Sequence, residues 1–214
     1  GALNLIRYPQ SLVSRILKIL RFFRLLYSKN LHYTFYSGDR LGADSDLVKS
    51  IYVIPGLRTE YNPAKVIQLK PFFSTKVIKS DQKKRALIIG QPLTGYKLID
   101  RKGLMYISSE IRKWSVAHDI EDVFYKTHPK DKDENLFEEG YKLLSGEVLI
   151  ENFLSNNYFD YVIGVHSSVL IFAKQLYGNQ TEVISFGLDK LKFKNQSLKL
   201  KLYNLYNELG IIIR

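Results

Sequence analysis

The chain has 214 residues, 45% of them hydrophobic and 13% aromatic, enough to bury the core of one substantial domain and too apolar for an intrinsically disordered chain. It has no cysteine, so disulfide frameworks, thiolate zinc sites, iron–sulfur clusters and thiol nucleophiles are excluded, and any chemistry rests on oxygen and nitrogen groups. The net charge of +11 sits at the two ends: residues 1–37 hold six Lys/Arg and no acid, residues 190–214 hold six Lys/Arg and one acid, and the 152 residues between are neutral.

Basic ends around a balanced middle differ from the basic reading face of a nucleic-acid module, and no nucleic-acid partner is expected. They suit either an anionic surface such as the cytoplasmic leaflet of a membrane or plain solubility. From Ser11 to Ser28, Leu12, Ile16, Ile19, Leu20, Phe23 and Leu26 recur at helical spacing, with Arg15, Lys18, Arg21 and Arg24 on the other side. These charges interrupt any run long enough to span a bilayer. The expected helix either packs on a neighbouring domain, the preferred reading, or lies in a membrane interface.

His32 to Ser37 is aromatic and β-prone and reads as a strand running into the Gly38-Asp39-Arg40-Leu41-Gly42 turn. Ile51 to Ile54 is a second short strand and Lys65 to Leu69 a third. The stretch from Pro55 to Asp81, with its prolines and turn residues, reads as a linker or irregular crossover. A boundary near Asp81 therefore separates residues 1–81, an N-terminal helix and partial segment, from a domain over 82–214.

Beyond that boundary strands and helices alternate. Arg85 to Ile89 is a continuous apolar run, as a buried parallel strand requires, and stops at Gly90-Gln91-Pro92. Lys102 to His118 has helical spacing, and Asp122 to Lys126 is a strand ending at Thr127-His128-Pro129. Ser145 to Ser155 reads as a strand and short helix. Asp160 to Val165 is a strand broken by His166-Ser167-Ser168, Val169 to Tyr177 a helix ended by Gly178, Glu182 to Phe186 a strand, and Leu198 to Leu209 a helix. The alternation predicts an α/β fold with a doubly wound, Rossmann-like parallel sheet and a smaller N-terminal segment.

Ligands of such sheets bind beyond the carboxyl ends of the strands. Three polar turns fall there: Gly90-Gln91-Pro92, Thr127-His128-Pro129-Lys130 and His166-Ser167-Ser168. A two-serine turn between a buried strand and a helix offers hydroxyls and free backbone N–H groups at the positive end of the helix dipole, a phosphate site. A simple N-cap explains one serine but not a histidine turn on the same edge. His128, held by Pro129, can donate to a phosphate oxygen and protonate a leaving group. No HExxH, Walker A or GxGxxG pattern occurs, so metalloprotease, P-loop and NAD(P)-binding chemistry is disfavoured, and no metal site is expected.

The run Val123 to Lys130 with His128-Pro129, and Asp160 to Leu170 with Ser167-Ser168, resembles the HP and SS motifs of bacterial sialyltransferases of GT-B architecture. The context Leu87 to Leu93 is most similar to the lipooligosaccharide and capsule sialyltransferases of glycosyltransferase family 52. The resemblance covers residues 82–190. It implies a CMP-sialic acid donor, no cofactor, and inverting, metal-free transfer to a galactose hydroxyl of a cell-surface glycan. His128 would bind the CMP phosphate and assist its departure as an acid, Ser167 and Ser168 would hold the same phosphate, and Gly90, Gln91 and Pro129 would border the nucleotide. The acidic motif of related enzymes lies imperfectly on this chain: Gly38 stands for its first acid, Asp39 matches, and Arg40 replaces its glycine. Asp100 is therefore ranked ahead of Asp39 as general base. The length corresponds to one half of a GT-B enzyme, so either a C-terminal fragment or a compact homologue completed by its N-terminal segment or a partner subunit, including a homodimer, is expected. The bacterial cytoplasm, at the inner face of the plasma membrane, is the implied location. The rivals are another GT-B transferase with a CDP- or UDP-linked donor and a non-catalytic nucleotide-sugar-binding subunit.

Overall fold

The computed structural model describes residues 10–28, 36–39, 41–54, 57, 59–69, 83–131, 136–144, 147–193 and 196–214. The chain divides into two compact units, residues 1–70 and 71–214. The expected boundary at Asp81 and the core of the expected strand at 32–35 lie outside the described residues.

In the first unit, α1 spans Leu12–Phe23; the Ser11 hydroxyl caps it, accepting from Ser14 N at 3.1 Å. A short 3-10 turn, Arg24–Leu26, continues it. No α1 residue is buried. Strands β1 (Ile51–Val53) and β2 (Val66–Gln68) form a parallel pair, Ile51 opposite Val66, and Val53, Leu57 and Tyr61 are buried.

The second unit holds a six-stranded sheet, all its neighbours parallel: β3 (Arg85–Ile89), β4 (Asp122–Lys126), β5 (Lys142–Leu144), β6 (Tyr161–Gly164), β7 (Glu182–Ser185) and β8 (Ile212–Ile213). Four helices connect them: α2 (Arg101–Ala117), α3 (Ile150–Asn156), α4 (Ser168–Tyr177) and α5 (Gln196–Glu208). The spatial order is β5-β4-β3-β6-β7-β8. The chain winds outward from β3 to β5, crosses back to β6, and winds outward again to β8. This is the doubly wound Rossmann order, whose direction reverses between β3 and β6.

The central strands carry continuous apolar runs because both faces of the sheet are buried. Ala86, Leu87, Ile88, Val162, Ile163, Val183 and Ile184 are all fully buried. The edges differ from the sequence reading. The strand expected within 145–155 instead precedes it, as β5, an edge strand with an exposed–exposed–half-buried pattern and therefore no alternation to read. Strand β8 has only two residues and shows no period at all.

Candidate active site

The topological reversal places the Gly90-Gln91 turn after β3 beside the Val165-His166 turn after β6. The buried Gln91 amide joins them. Its Oε1 accepts from Val165 N at 3.1 Å and from His166 N at 2.8 Å, while its Nε2 donates to His166 O. From the other side, buried Ser185 at the end of β7 donates to Val165 O at 2.6 Å, and Tyr206 of α5 donates to Ser167 O at 3.3 Å. Burial raises the Tyr206 phenol above its ordinary range, so it stays a donor at neutral pH. Three side chains thus fix the backbone of one turn before any ligand arrives.

That turn opens α4. Ser167 is the N-cap, its Oγ accepting from Val169 N at 3.2 Å. Ser168 is exposed, and its hydroxyl has no hydrogen-bond partner among the described residues. The two serines therefore divide the work, one ending the helix and the other facing outward at its positive end.

One strand to the other side of β3, β4 ends at Lys126 and Thr127, and His128-Pro129-Lys130-Asp131 folds into a tight turn closed by Asp131 N donating to His128 O at 2.8 Å. Pro129 supplies the fixed φ of the second turn position. Lys130 N donates to His128 Nδ1 at 3.0 Å, so Nδ1 is an acceptor and the ring proton resides on Nε2. Burial lowers the His128 pKa; the Asp131 carboxylate opposes this, and Lys130 and Lys126 add to it. His166 is lowered by burial alone, and its ring meets the edge of Phe193 at 5.6 Å. Both imidazoles are thus biased toward the neutral form.

Between the two turns lies Gly90. A Cβ there would stand 2.5 Å from Tyr125 Oη and 2.8 Å from Lys126 O, so no side chain can occupy the end of the middle strand. With adjacent strands about 4.8 Å apart, the His128 and Ser167 turns flank this bare floor at a separation of about 10 Å. Lys126, 6% exposed, completes the edge; it donates to Thr127 O at 3.1 Å, and burial lowers its pKa, partly offset by Glu151. Sequence reasoning overlooked Lys126, although a lysine closing the otherwise apolar Val123-Phe124-Tyr125 run is a readable signal. It also overlooked Ser185 and Tyr206, for which no local signal exists.

The two carboxylates differ. Asp100 caps α2, its Oδ1 accepting from Gly103 N at 2.8 Å, with Oδ2 3.8 Å from Lys192 Nζ and two thirds of the side chain exposed. As α2 starts on the carboxyl side of β3, Asp100 shares that edge of the sheet. Asp39 lies in the first unit, 1% exposed, its Oδ1 accepting from Ala43 N at 3.1 Å and its Oδ2 from Tyr61 Oη at 2.8 Å. Both Asp39 oxygens are committed to holding a loop. Arg40 lies outside the described residues. Among the described residues no group of three His, Asp or Glu side chains is arranged to hold a metal ion.

A family model described as alpha-2,8-polysialyltransferase matches residues 9–185. Among solved structures, the chain is similar to Thermosulfurimonas dismutans KpsC, a beta Kdo 2,4 transferase, at 18% identity over 52% of this chain and 36% of that one, with a TM-score of 0.38. It is similar to S. aureus homoserine dehydrogenase at 20% identity over 62% of this chain and 32% of that one, with a TM-score of 0.34. The Staphylococcus aureus nicotinamidase SaPncA shares 15% identity over 62% of this chain and 100% of its own, at 0.38. The chain spans about a third of the length of the first two. At these TM-scores the structural likenesses carry no argument about activity. No curated protein matches the chain.

Proposed function

The chain belongs to the alpha-2,8-polysialyltransferase family, and on that premise we propose that its parallel sheet binds CMP-sialic acid at the β3–β6 reversal and transfers the sialyl group to a hydroxyl of a cell-surface glycan. The family description favours an α2,8-linked sialyl acceptor over the galactoside that the lipooligosaccharide resemblance implied. One observation carries the reading: a prearranged turn at a helix N-terminus and an Nε2-protonated histidine flank a glycine floor at the carboxyl edge.

In this reaction the acceptor oxygen forms a bond to the anomeric carbon while the bond from that carbon to the phosphate oxygen breaks, its electron pair leaving with CMP. The phosphate thereby changes from a monoanion to a monoester whose second pKa is about 6, so at neutral pH it departs without needing a proton. What it needs is donors aimed at the developing charge. His128 Nε2–H, Ser168 and the first N–H groups of α4 supply them, with Lys126 nearby. The lowered His128 pKa fits a hydrogen-bond donor better than a proton donor. The acceptor proton goes to a carboxylate, for which exposed Asp100 on the same edge is ranked ahead of buried Asp39. Gly90 and Gln91 shape the floor, and Pro129 fixes the histidine turn. Neither a metal nor a cofactor enters the scheme.

Calorimetric titration with CMP, CDP and UDP tests this. CMP is expected to bind selectively, binding to be lost in His128→Ala, and Ser168→Ala to weaken it by about 1.5–3 kcal/mol, the worth of a charge-assisted hydrogen bond. Ser167→Ala should instead cost about 1 kcal/mol of stability, as an N-cap does. Preference for UDP or CDP would transfer the reading to another donor class. CMP binding with no sialyl transfer to any acceptor would make the chain a binding subunit.

A further inference from the structure

Beside α2 a groove of about 480 Å³ opens between that helix and the residues that follow β7 and β8, within the volume range of small-ligand sites. Tyr106, Glu110, Lys113 and Ala117 recur along one side of α2 over about 16 Å and form one wall. Trp114 and Phe186 also line it, 7% and 5% exposed and packed edge to face at 5.8 Å, while the Tyr106 ring is 52% exposed. The Trp114 Nε1–H has no hydrogen-bond partner among the described residues, where a buried indole N–H ordinarily finds one. Over the Trp114 ring, 5.8 Å from its centroid, sits the Arg214 guanidinium, which enters no ion pair among the described residues. Lys113 and Lys190 are instead paired with Glu110 and Asp189, each at 3.0 Å. The groove adjoins the carboxyl edge already described. Ser185, whose hydroxyl holds the Val165 turn, accepts Arg214 N at its carbonyl at 2.9 Å, and Arg214 O accepts Gly187 N at 2.7 Å.

We infer that this groove binds a carboxylated sugar unit of a glycan, with the carboxylate on the Arg214 guanidinium, the apolar ring face on Tyr106, and hydroxyls donating to the Glu110 and Asp189 carboxylates. Arginine suits a planar carboxylate because its fork offers two parallel N–H bonds. Together Lys113, Lys190 and Arg214 set three positive charges against the two negative charges of Glu110 and Asp189, a net of one. That balance matches a ligand unit with a single negative charge and several hydroxyl donors, as each sialyl residue has. A phosphate group would bring further negative charge against the same two carboxylates. With strands about 4.8 Å apart, the ends of β7 and β8 lie about 5 to 10 Å from the end of β6, so the groove continues the donor edge on one side. Its role, which rests on the sialyl-transfer reading, is to hold the acceptor chain at a sugar unit beyond the one that reacts.

Trp114 is the only tryptophan of the chain, so fluorescence of the full chain reports this groove directly. An α2,8-linked trimer of sialic acid should change the emission to saturation, and the same trimer with its carboxylates reduced to alcohols should not at equal concentrations. Arg214→Gln should weaken trimer binding about tenfold to a hundredfold, the loss of one charge-assisted contact. Ala117→Phe, which fills the groove from an exposed position, should abolish the response with the melting temperature unchanged. No emission change with the trimer, an equal response to the reduced trimer, or the parent's affinity in either variant would overturn the inference. So would conversion of an oligomer to monomer in Ala117→Phe, which would give the groove to a second copy. CMP, titrated by calorimetry on the same protein, separates the two readings: CMP binding without a trimer response would overturn the groove and leave the donor site standing, whereas a trimer response without CMP binding would support the sugar groove and remove the transferase role assigned to it.

Discussion

Replacing Gln91 with Met keeps the side-chain volume and removes all three hydrogen bonds that join the ends of β3 and β6. The Val165 N–H then loses its partner in a position with no solvent access, Val165 being fully buried. An unsatisfied buried donor costs roughly 1–3 kcal/mol. His166 is half-buried, so its N–H and C=O regain water, and their loss together is about 1 kcal/mol. The total is about 3 kcal/mol, and at about 3 °C per kcal/mol for a unit of this size the melting temperature should fall by about 10 °C. Differential scanning calorimetry reads the shift, and titration with CMP on the folded variant reads the second consequence. With the His166-Ser167 turn released, CMP affinity should fall with stability. A melting temperature within about 2 °C of the parent would refute the Gln91 bridge. A large drop in melting temperature with unchanged CMP affinity would leave the bridge intact and remove this turn from the donor site.

Two further outcomes are expected. Gly90→Ala places a methyl 2.8 Å from the rigid Lys126 carbonyl and 2.5 Å from Tyr125 Oη, so β3 and β4 must separate at their carboxyl ends; overpacking of this kind costs about 1–3 kcal/mol, and an unchanged melting temperature would contradict the close approach. In nitrogen-15 NMR titrations, unliganded His128 should show the Nε2–H tautomer and a midpoint below the ordinary 6.5. Because the folded pKa is the lower one, the unfolded chain takes up the proton first as pH falls through that ordinary value, so His128 contributes to acid destabilisation, and His128→Gln should flatten the stability profile below about pH 6.5. A midpoint above 6.5 would contradict the Lys130 N–H bond to Nδ1.

The central layers of the second unit were legible in the sequence because burial on both faces forces apolar runs at β3, β6 and β7 and helical spacing through Leu104, Ile107, Ile111 and Trp114 of α2. Polar turns closing those strands were legible for the same reason. In a parallel sheet every strand must end at one edge, so Gly90-Gln91, His128-Pro129 and Ser167-Ser168 could be assigned to it before any coordinates. Edge strands β5 and β8 carry no such constraint and no period. Sequence also established the two-sided character of α1, a pattern shared by a helix that packs on a domain and a helix that lies on a membrane.

Tertiary structure alone decided what each edge residue does. Hydrogen-bonding side chains choose partners in space, so nothing local could show that Gln91 spends its amide on the Val165-His166 backbone, or that Ser185 and Tyr206, distant in sequence, hold the same turn. Nothing local distinguished Ser167, whose hydroxyl ends a helix, from Ser168, whose hydroxyl faces out. Asp39 matched a motif position by spacing, yet the fold buries it and gives both its oxygens to a loop, because a buried carboxylate must be satisfied wherever it lies. The sequence determined which residue types meet at the carboxyl edge; the packing around them determined which are spent on holding the fold and which face outward.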